Sequence, residues 1–388
     1  MSRASSGFPR KGSGRKAVRA NLGDALEEDF SFGGGRVLGS MCTAPLPIAV
    51  EAHSKFIESN LGNSGLYPGT AKLERQVVAW VSDLMHGRNL AGHVVGGGTE
   101  ANITALWVAR NATGKKEVVF PESAHFSFSK ACDLLGMKPV IARLNDDFTV
   151  DVDDARRKIG KNTAAVVGIA GTTEVGAVDD VAALAEASEG KTLHVDAAFG
   201  GFVIPFLCKL GGEFPGFDFS VPGVSSLTID PHKMGMATVP SGILLFRGRD
   251  RLDGIAVDAP YLTLTKQTAL SGTRCSAAVA SSYAAIRTLG FEGYVRLVKG
   301  CMDNTAHLAK RAGQEGLSLA LKPRMNIVNL SVDSPERLQA ELDRMGWKVS
   351  KACKPKSLRM VVMPHVTRRV VDSFVPDLAK AARRLGEI

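Results

Sequence analysis

Between His93 and Arg247 the chain repeats one pattern: a short apolar run, a turn rich in glycine or small polar residues, then apolar residues at helical spacing. "HVVGGGTEANITALWVARNAT" shows the whole unit; "EVVF" with "HFSFSKACDLLG" and then "AAVVGIAGTTEVGAVDDVAALAEAS" repeat it. "TLHVDAAFGGF", "SSLTIDPHK" and "SGILLFR" add three more apolar runs. Strands alternating with helical stretches argue for βαβ units, so the expected fold class is α/β, with a mostly parallel central sheet and helices on both faces.

The flanks divide the rest. "AKLERQVVAWVSDLMHG" (71–87) has helical spacing, and the segment before it mixes loops with one helical pattern. From about Val295 the order becomes helix, "NIVNLSV", helix, "WKVSK", "LRMVVMP", helix, the signature of a compact α+β domain on its own small sheet. The expected division is a basic leader (1–22), an N-terminal segment (23–70), a large domain (71–294) and a small C-terminal domain (295–388).

Composition narrows the function classes. No run reaches the ~18 apolar residues of a membrane-spanning helix, and no apolar signal core opens the chain, so a cytoplasmic protein is expected. The six cysteines are scattered without CxxC or metal-ligand spacing, which suggests neither a disulfide framework nor a zinc site. The formal charge of +9 invites a nucleic-acid reading, but Arg3, Arg10, Lys11, Arg15, Lys16 and Arg19 supply six of those charges before the first acid, Asp24. With its serines and glycines this stretch reads as a disordered basic leader rather than a nucleic-acid surface.

In open α/β sheets ligands sit at the carboxyl ends of the strands. Three polar elements fall there. "GGGTE" (96–100) lies between a strand and a helix, where glycines admit close backbone approach and the helix N-terminus favours an anion. It is neither GxGxxG nor GxxxxGK, which disfavours dinucleotides and nucleoside triphosphates. Asp196 ends an apolar stretch, where burial penalises the charge unless a cation or hydrogen bonds meet it; a core salt bridge would serve, and so would a bound cofactor. Lys233 in "LTIDPHKMGM" stands at another strand end, and a desolvated lysine is the residue type that forms a Schiff base with a carbonyl.

Pyridoxal phosphate requires four such parts: a lysine for its aldehyde, an acid for its pyridine nitrogen, an anion cradle and a group flat against its ring. Lys233, Asp196, Gly98 with Thr99, and His125 in "ESAHFSF" are the candidates, and His232 is placed to hydrogen-bond the phosphate. An acid about 3 Å from the pyridinium is worth several kcal/mol at an effective dielectric near 20, enough to keep the nitrogen protonated.

These residues give the sequence a family resemblance. It resembles the pyridoxal-phosphate-dependent group II amino-acid decarboxylases, most closely the archaeal L-tyrosine/L-aspartate decarboxylases, through "NLGNSGLYPGTAKLE", "GGGTEAN", "AHFSF", "GIAGTTEVGAVDD", "HVDAAFGGFVIPF", "LTIDPHKMG", "DAPYLTLTKQTALSGTR" and "LRMVVMPHV". The resemblance implies an aspartate-aminotransferase-like fold, fold type I, in a homodimer with active sites at the subunit interface. By the same resemblance Lys233 carries the cofactor, Asp196 pairs with its ring nitrogen, His125 stacks on the ring, and Gly98, Thr99 and His232 hold the phosphate. Thr172 and Ala198 line the cofactor, Thr273 reaches in from the neighbouring subunit, and Arg359 matches the small-domain arginine that meets a substrate carboxylate. Tyr67 falls on the substrate side. Tyr261 stands in a loop shorter than the one that carries a catalytic tyrosine in animal relatives.

The implied reaction is decarboxylation of an L-amino acid: tyrosine to tyramine, a methanofuran precursor, or aspartate to β-alanine, on the way to coenzyme A. Lys233, His125, Tyr67 and Tyr261 are all candidates for returning a proton to Cα. Within the fold class, a carbon–carbon lyase acting on a phosphorylated amine and a tRNA-dependent sulfur transferase are the competing reactions. A non-catalytic nucleic-acid-binding protein has no reason to keep Lys233, Asp196 and His125 together.

Overall fold

A computed structural model describes residues 7–388. Seven strands form the central sheet: β1 (Ala91–Val95), β2 (Glu117–Pro121), β3 (Lys138–Ala142), β4 (Thr163–Ile169), β5 (Thr192–Asp196), β6 (Val224–Ile229) and β7 (Gly242–Phe246), in the order β1-β7-β6-β5-β4-β2-β3. All are parallel except β7, which is antiparallel to both of its neighbours. "SGILLFR" is thus in the sheet as expected, but reversed and inserted between β1 and β6. The sequence reading has no counterpart for β3. Pro139 interrupts its strand signature, and the structure accommodates the missing N–H by placing β3 at the sheet edge.

Helices α1 (Arg15–Glu28), α2 (Pro47–Lys55) and α3 (Pro68–Leu84) precede the sheet. Helices α4 (Gly98–Thr113), α5 (Ser127–Leu135), α6 (Val152–Lys158), α7 (Val181–Ala187), α8 (Ile204–Lys209) and α9 (Asp250–Asp253) connect or follow its strands. Strand β4 is buried along its whole length, and β6 likewise, as strands covered on both faces must be. Val166, Val195, Leu227 and Ile229 meet Phe199, Phe202 and Phe206 in the main core.

A two-stranded ladder, β8 (Val257–Asp258) with β9 (Lys266–Gln267), leads to α10 (Ser276–Gln314), which kinks at Gly290, where φ is 57°. The small domain packs α11 (Pro335–Arg344) and α12 (Arg368–Leu385) on an antiparallel sheet of β10 (Ile327–Ser331), β11 (Ser350–Ala352) and β12 (Ser357–Val361), ordered β10-β12-β11. Its core holds Trp347, Leu358, Met360 and Phe374, and also Leu38 from far upstream, because Val37 bridges to Lys348. Helix α10 serves both cores: Val295, Val298 and Cys301 pack in the large one, Leu308 and Ala312 in the small.

The leader corrects one expectation. Residues 1–6, including Arg3, lie outside the described residues, but from Arg15 the chain is helical rather than disordered. Val18, Leu22 and Leu26 recur at helical spacing along α1, and no residue of this helix is buried. Among the described residues no helix is long and apolar enough to cross a membrane, and no cluster of metal-ligating side chains forms.

Candidate active site

Strands β1, β4, β5 and β6 end around a cavity of about 280 Å³ whose walls include Gly98, Thr99, His125, Asp196, Ala198, His232 and Lys233. The sheet brings together seven of the residues singled out from sequence, from segments up to 135 positions apart in the chain.

The anion cradle is the start of α4. The first-turn N–H groups of a helix have no intrahelical acceptor, and they face outward with the positive end of the helix dipole. Gly97 adopts φ 127°, and a Cβ there would lie 3.3 Å from Cε1 of His232; one on Gly98 would come 3.0 Å from Asp230 Oδ2 and 3.3 Å from Ala198 Cβ. Side chains at either position would fill the space a ligand needs. His232 turns Nδ1 to the carbonyl of Ser241, which leaves Nε2 on the other edge of the ring, 3.8 Å from Asp230 Oδ2.

Lys233 lines the same cavity. Its Nζ is 3.2 Å from Oδ2 of Asp230, a buried acid whose Oδ1 has no partner. Asp196 is set by β5 and the turn after it: Oδ1 accepts the amide of Ala198 at 3.0 Å, and Oδ2 accepts from Asn102 Nδ2 at 2.9 Å. A carboxylate has lone pairs to spare after two such bonds, so Asp196 can also accept from a cationic ring N–H. His125, half-buried, rests against Phe126 with ring centroids 3.9 Å apart. Burial holds its pKa below the ordinary histidine value, with nearby Asp196 opposing the shift. The donor set therefore fits pyridoxal phosphate: an amine, an acid, a flat ring, and a glycine cradle beside an orphaned buried oxygen.

Five residues singled out from sequence are placed differently. Thr172 is fully buried, and its hydroxyl accepts the amide of Ala177 at 2.9 Å; the neighbouring Thr173 lines the cavity instead. The tight turn following Gly171, at φ 95°, turns the first threonine inward. Thr273 is exposed and Tyr261 is 85% exposed, and neither lines the cavity. Tyr67, half-buried at the start of α3, is also outside it. Arg359 lies on β12, 5% exposed, donating to Ser350 Oγ at 2.9 Å and Gly39 O at 3.4 Å, with Nε and Nη2 unpartnered. Burial pulls its pKa down to about 10, so it remains a cation at neutral pH.

The sequence reading missed Asp230, Asn102, Ser123 and Thr173. Asp230 was legible: it is the acid of the same "DPHK" that carries Lys233. A second cavity of about 390 Å³ shares Ser123, His125, Phe126 and Thr173 with the first and is closed by Glu122, Glu174 and Lys354. There Lys354 pairs with Glu122, and the Glu174 carboxylate accepts the amides of Cys353 at 3.0 Å and Lys354 at 3.2 Å, joining the small domain to the large. A larger cavity of about 500 Å³, walled by Trp80, Phe206, Phe291 and Tyr294, shares no residue with the first and holds no lysine.

Comparison with known proteins gives the chain's relatives. Residues 46–332 match the family described as the pyridoxal-dependent decarboxylase conserved domain. The L-aspartate/L-glutamate decarboxylase of Pyrococcus horikoshii is 46% identical over 378 residues, covering 96% of this chain and 98% of the relative. The L-aspartate decarboxylase of Thermococcus kodakarensis is 46% identical over 385 residues, 97% of this chain and 100% of the relative. A probable L-tyrosine/L-aspartate decarboxylase of Methanothrix thermoacetophila is 45% identical, with 96% of each chain covered. Among solved structures, a Burkholderia pseudomallei sphingosine-1-phosphate lyase superposes with a TM-score of 0.89 at 26% identity, covering 98% of this chain and 93% of the other. A Lactobacillus brevis glutamate decarboxylase gives 0.88 at 23% identity, covering 99% and 96%, which is a likeness of fold.

Proposed function

Because the chain belongs to the pyridoxal-dependent decarboxylase family, and is thereby a fold type I pyridoxal-phosphate carboxy-lyase, we propose that it decarboxylates L-aspartate to β-alanine and, as a second substrate, L-tyrosine to tyramine. The observation that carries the reaction type is that one cavity is lined by Lys233, Asp196 and the N-terminus of α4 together. Aspartate leads because the names of the relatives cited above share it.

Bound there, the cofactor supplies a protonated pyridine ring that accepts the electron pair left when carbon dioxide departs. Lys233 provides the amine that holds the aldehyde carbon. Asp196, fixed by Ala198 and Asn102, keeps the ring proton in place without reorganising as charge develops. Gly98, Thr99 and His232 would hold the phosphate, and His125 would pack against the ring. The half-free guanidinium of Arg359 supports its assignment to a substrate carboxylate, on the small-domain side.

The assembly we propose is a homodimer. The stripe of Val18, Leu22 and Leu26 on α1 has no cover in the protomer, and Tyr261, Leu264 and Leu270 are exposed in the loop before Thr273. A second copy would cover both, and would put Thr273 and Tyr261 at the partner's cavity. The six free cysteines support a reducing, cytoplasmic setting. The carbon–carbon lyase and sulfur-transfer readings are set aside: the lyase neighbour is 26% identical, the decarboxylases 46%.

The test is to incubate the purified, cofactor-loaded protein with an amino-acid mixture and identify what forms. β-Alanine or tyramine with released carbon dioxide supports the proposal; neither amine forming from the mixture overturns it.

A further inference from the structure

The buried polar chain behind Asp196 has a single consistent direction. A carboxylate is acceptor-only, so the Asn102 atom 2.9 Å from Asp196 Oδ2 is the amide nitrogen. Its second hydrogen goes to Ser127 Oγ at 3.0 Å. The Asn102 carbonyl then faces Thr228 Oγ1 at 2.9 Å and His194 Nε2 at 3.0 Å, and accepts from both. His194 is completely buried and pulled down to about 4 by desolvation, so it carries one proton, which Asn102 claims at Nε2; Nδ1 accepts from Ser226 Oγ at 2.8 Å. All four hydrogen-bonding positions of the Asn102 amide are in use.

The consequence reaches His125. Ser127 Oγ accepts from Asn102 and keeps its own O–H free to donate, and His125 Nδ1 is 3.0 Å away. The backbone N–H of Ser127 points at the same Nδ1 from 3.3 Å, and a backbone N–H cannot accept. Two donors therefore converge on one ring nitrogen. We infer that Asn102 is a positioning residue that holds Asp196 with one amide hydrogen and, with the other, acts through Ser127 to fix His125 as the tautomer protonated on Nε2. His125 then offers an N–H rather than a lone pair from the edge left to the cavity. It is poorly suited to protonating Cα, because giving up that hydrogen would leave an anionic imidazolate. The proton that replaces the carboxylate falls to Lys233 or a tyrosine. This last step rests on the decarboxylase reading; the tautomer does not.

The two are separable by experiment on the full chain without cofactor. With histidine labelled in ¹⁵N, long-range proton–nitrogen correlation spectra distinguish protonated from unprotonated ring nitrogens, and His125→Gln assigns the signal. The wild-type spectrum should show Nδ1 unprotonated and Nε2 protonated. Asn102→Asp replaces the donor to Ser127 by an acceptor; the Ser127 hydroxyl turns toward it and offers its lone pair to the ring. The tautomer ratio should shift toward Nδ1–H by about tenfold, the effect of exchanging one hydrogen bond. Should Asn102→Asp not fold, Ser127→Ala removes the hydroxyl donor alone and should shift the ratio the same way by about threefold. In the loaded enzyme Ser127→Ala should lower kcat with KM little changed. A wild-type spectrum with Nδ1 protonated, or a ratio unmoved in the variants that fold, overturns the inference. Failure of the enzyme to decarboxylate anything would leave these spectra as they are and overturn only the reaction.

Discussion

The guanidinium of Arg274 donates to the carboxylate of Glu74, and that same carboxylate accepts the amide of Val94 at 2.9 Å. Arg274 also donates to the Val94 carbonyl at 3.2 Å. Both side chains are nearly buried, so the loop that ends in "SGTR" is tied to the end of β1, just ahead of the glycine cradle. Removing one partner of a buried pair leaves the other charged and unmatched. Glu74→Ala should cost about 3–5 kcal/mol of unfolding free energy in urea, and Glu74→Gln, which keeps an acceptor for Val94, clearly less. Equal losses in the two variants would show that the lost charge, and not the hydrogen bond to Val94, is what matters.

Lys233 is the covalent site on our reading, and the prediction is specific to one residue. Borohydride reduction of the loaded enzyme followed by peptide mapping should place the pyridoxyl group on Lys233 and on no other lysine. Lys233→Ala should lose both the visible absorption of bound cofactor and turnover. A tag elsewhere, or absorption surviving the substitution, refutes the assignment.

On our reading Asp196 acts through charge rather than through contact with substrate. Asp196→Ala should lower kcat by about 10²–10³, the range found when one preorganised electrostatic group is removed. Asp196→Asn keeps the hydrogen bond from Ala198 but not the charge, and should resemble alanine in kcat while retaining more stability. If asparagine restores turnover, the carboxylate is a structural acceptor only.

How far the sequence disclosed this site depended on what placed each residue. Lys233, Asp196 and the glycine turn each end a strand of the sheet, so reading the strands was enough to bring them together. Thr172 and Thr173 differ by one position within a turn, and nothing in "GTT" says which faces inward; the positive φ of Gly171 and the bridge of Ala170 to Val178 decide it. Asn102, Ser127 and Thr228 were illegible for another reason. Each is an ordinary polar residue within or at the start of its element, and only sheet packing makes Asn102 meet Asp196 across 94 positions. Thr273 and Tyr261 are exposed in the protomer, and on the proposed dimer their surroundings would come from the partner copy, which one chain's sequence does not display.

Asp179 gives the fold a pH dependence of its own. It is fully buried, accepts the amides of Val150 at 2.8 Å and Ile169 at 2.7 Å, and is raised by desolvation from 3.8 to about 7 despite those bonds. A folded-state pKa above the unfolded one means the native protein binds this proton more tightly. The stabilisation is complete below the unfolded value and is lost as pH rises through about 7. Urea unfolding of wild type and Asp179→Asn across this range should show a difference that falls with pH, at a slope of at most about 1.4 kcal/mol per unit. Parallel profiles would refute the buried titration.

Arg359 separates a structural from a substrate role by the sign of its stability effect. Its Nε and Nη2 are buried without partners, so in the free protein this cation carries a desolvation cost that its bonds to Ser350 and Gly39 only partly offset. A carboxylate would supply the acceptors these two donors lack. Arg359→Met, similar in length and uncharged, should leave unfolding free energy unchanged or raised. KM for L-aspartate should rise at least about tenfold, as losing a charge-assisted bidentate contact implies. Arg359→Lys should recover only part of this, since an ammonium cannot match the two parallel bonds of a guanidinium. A methionine variant that is destabilised but binds substrate normally would return Arg359 to the small-domain core as a packing residue.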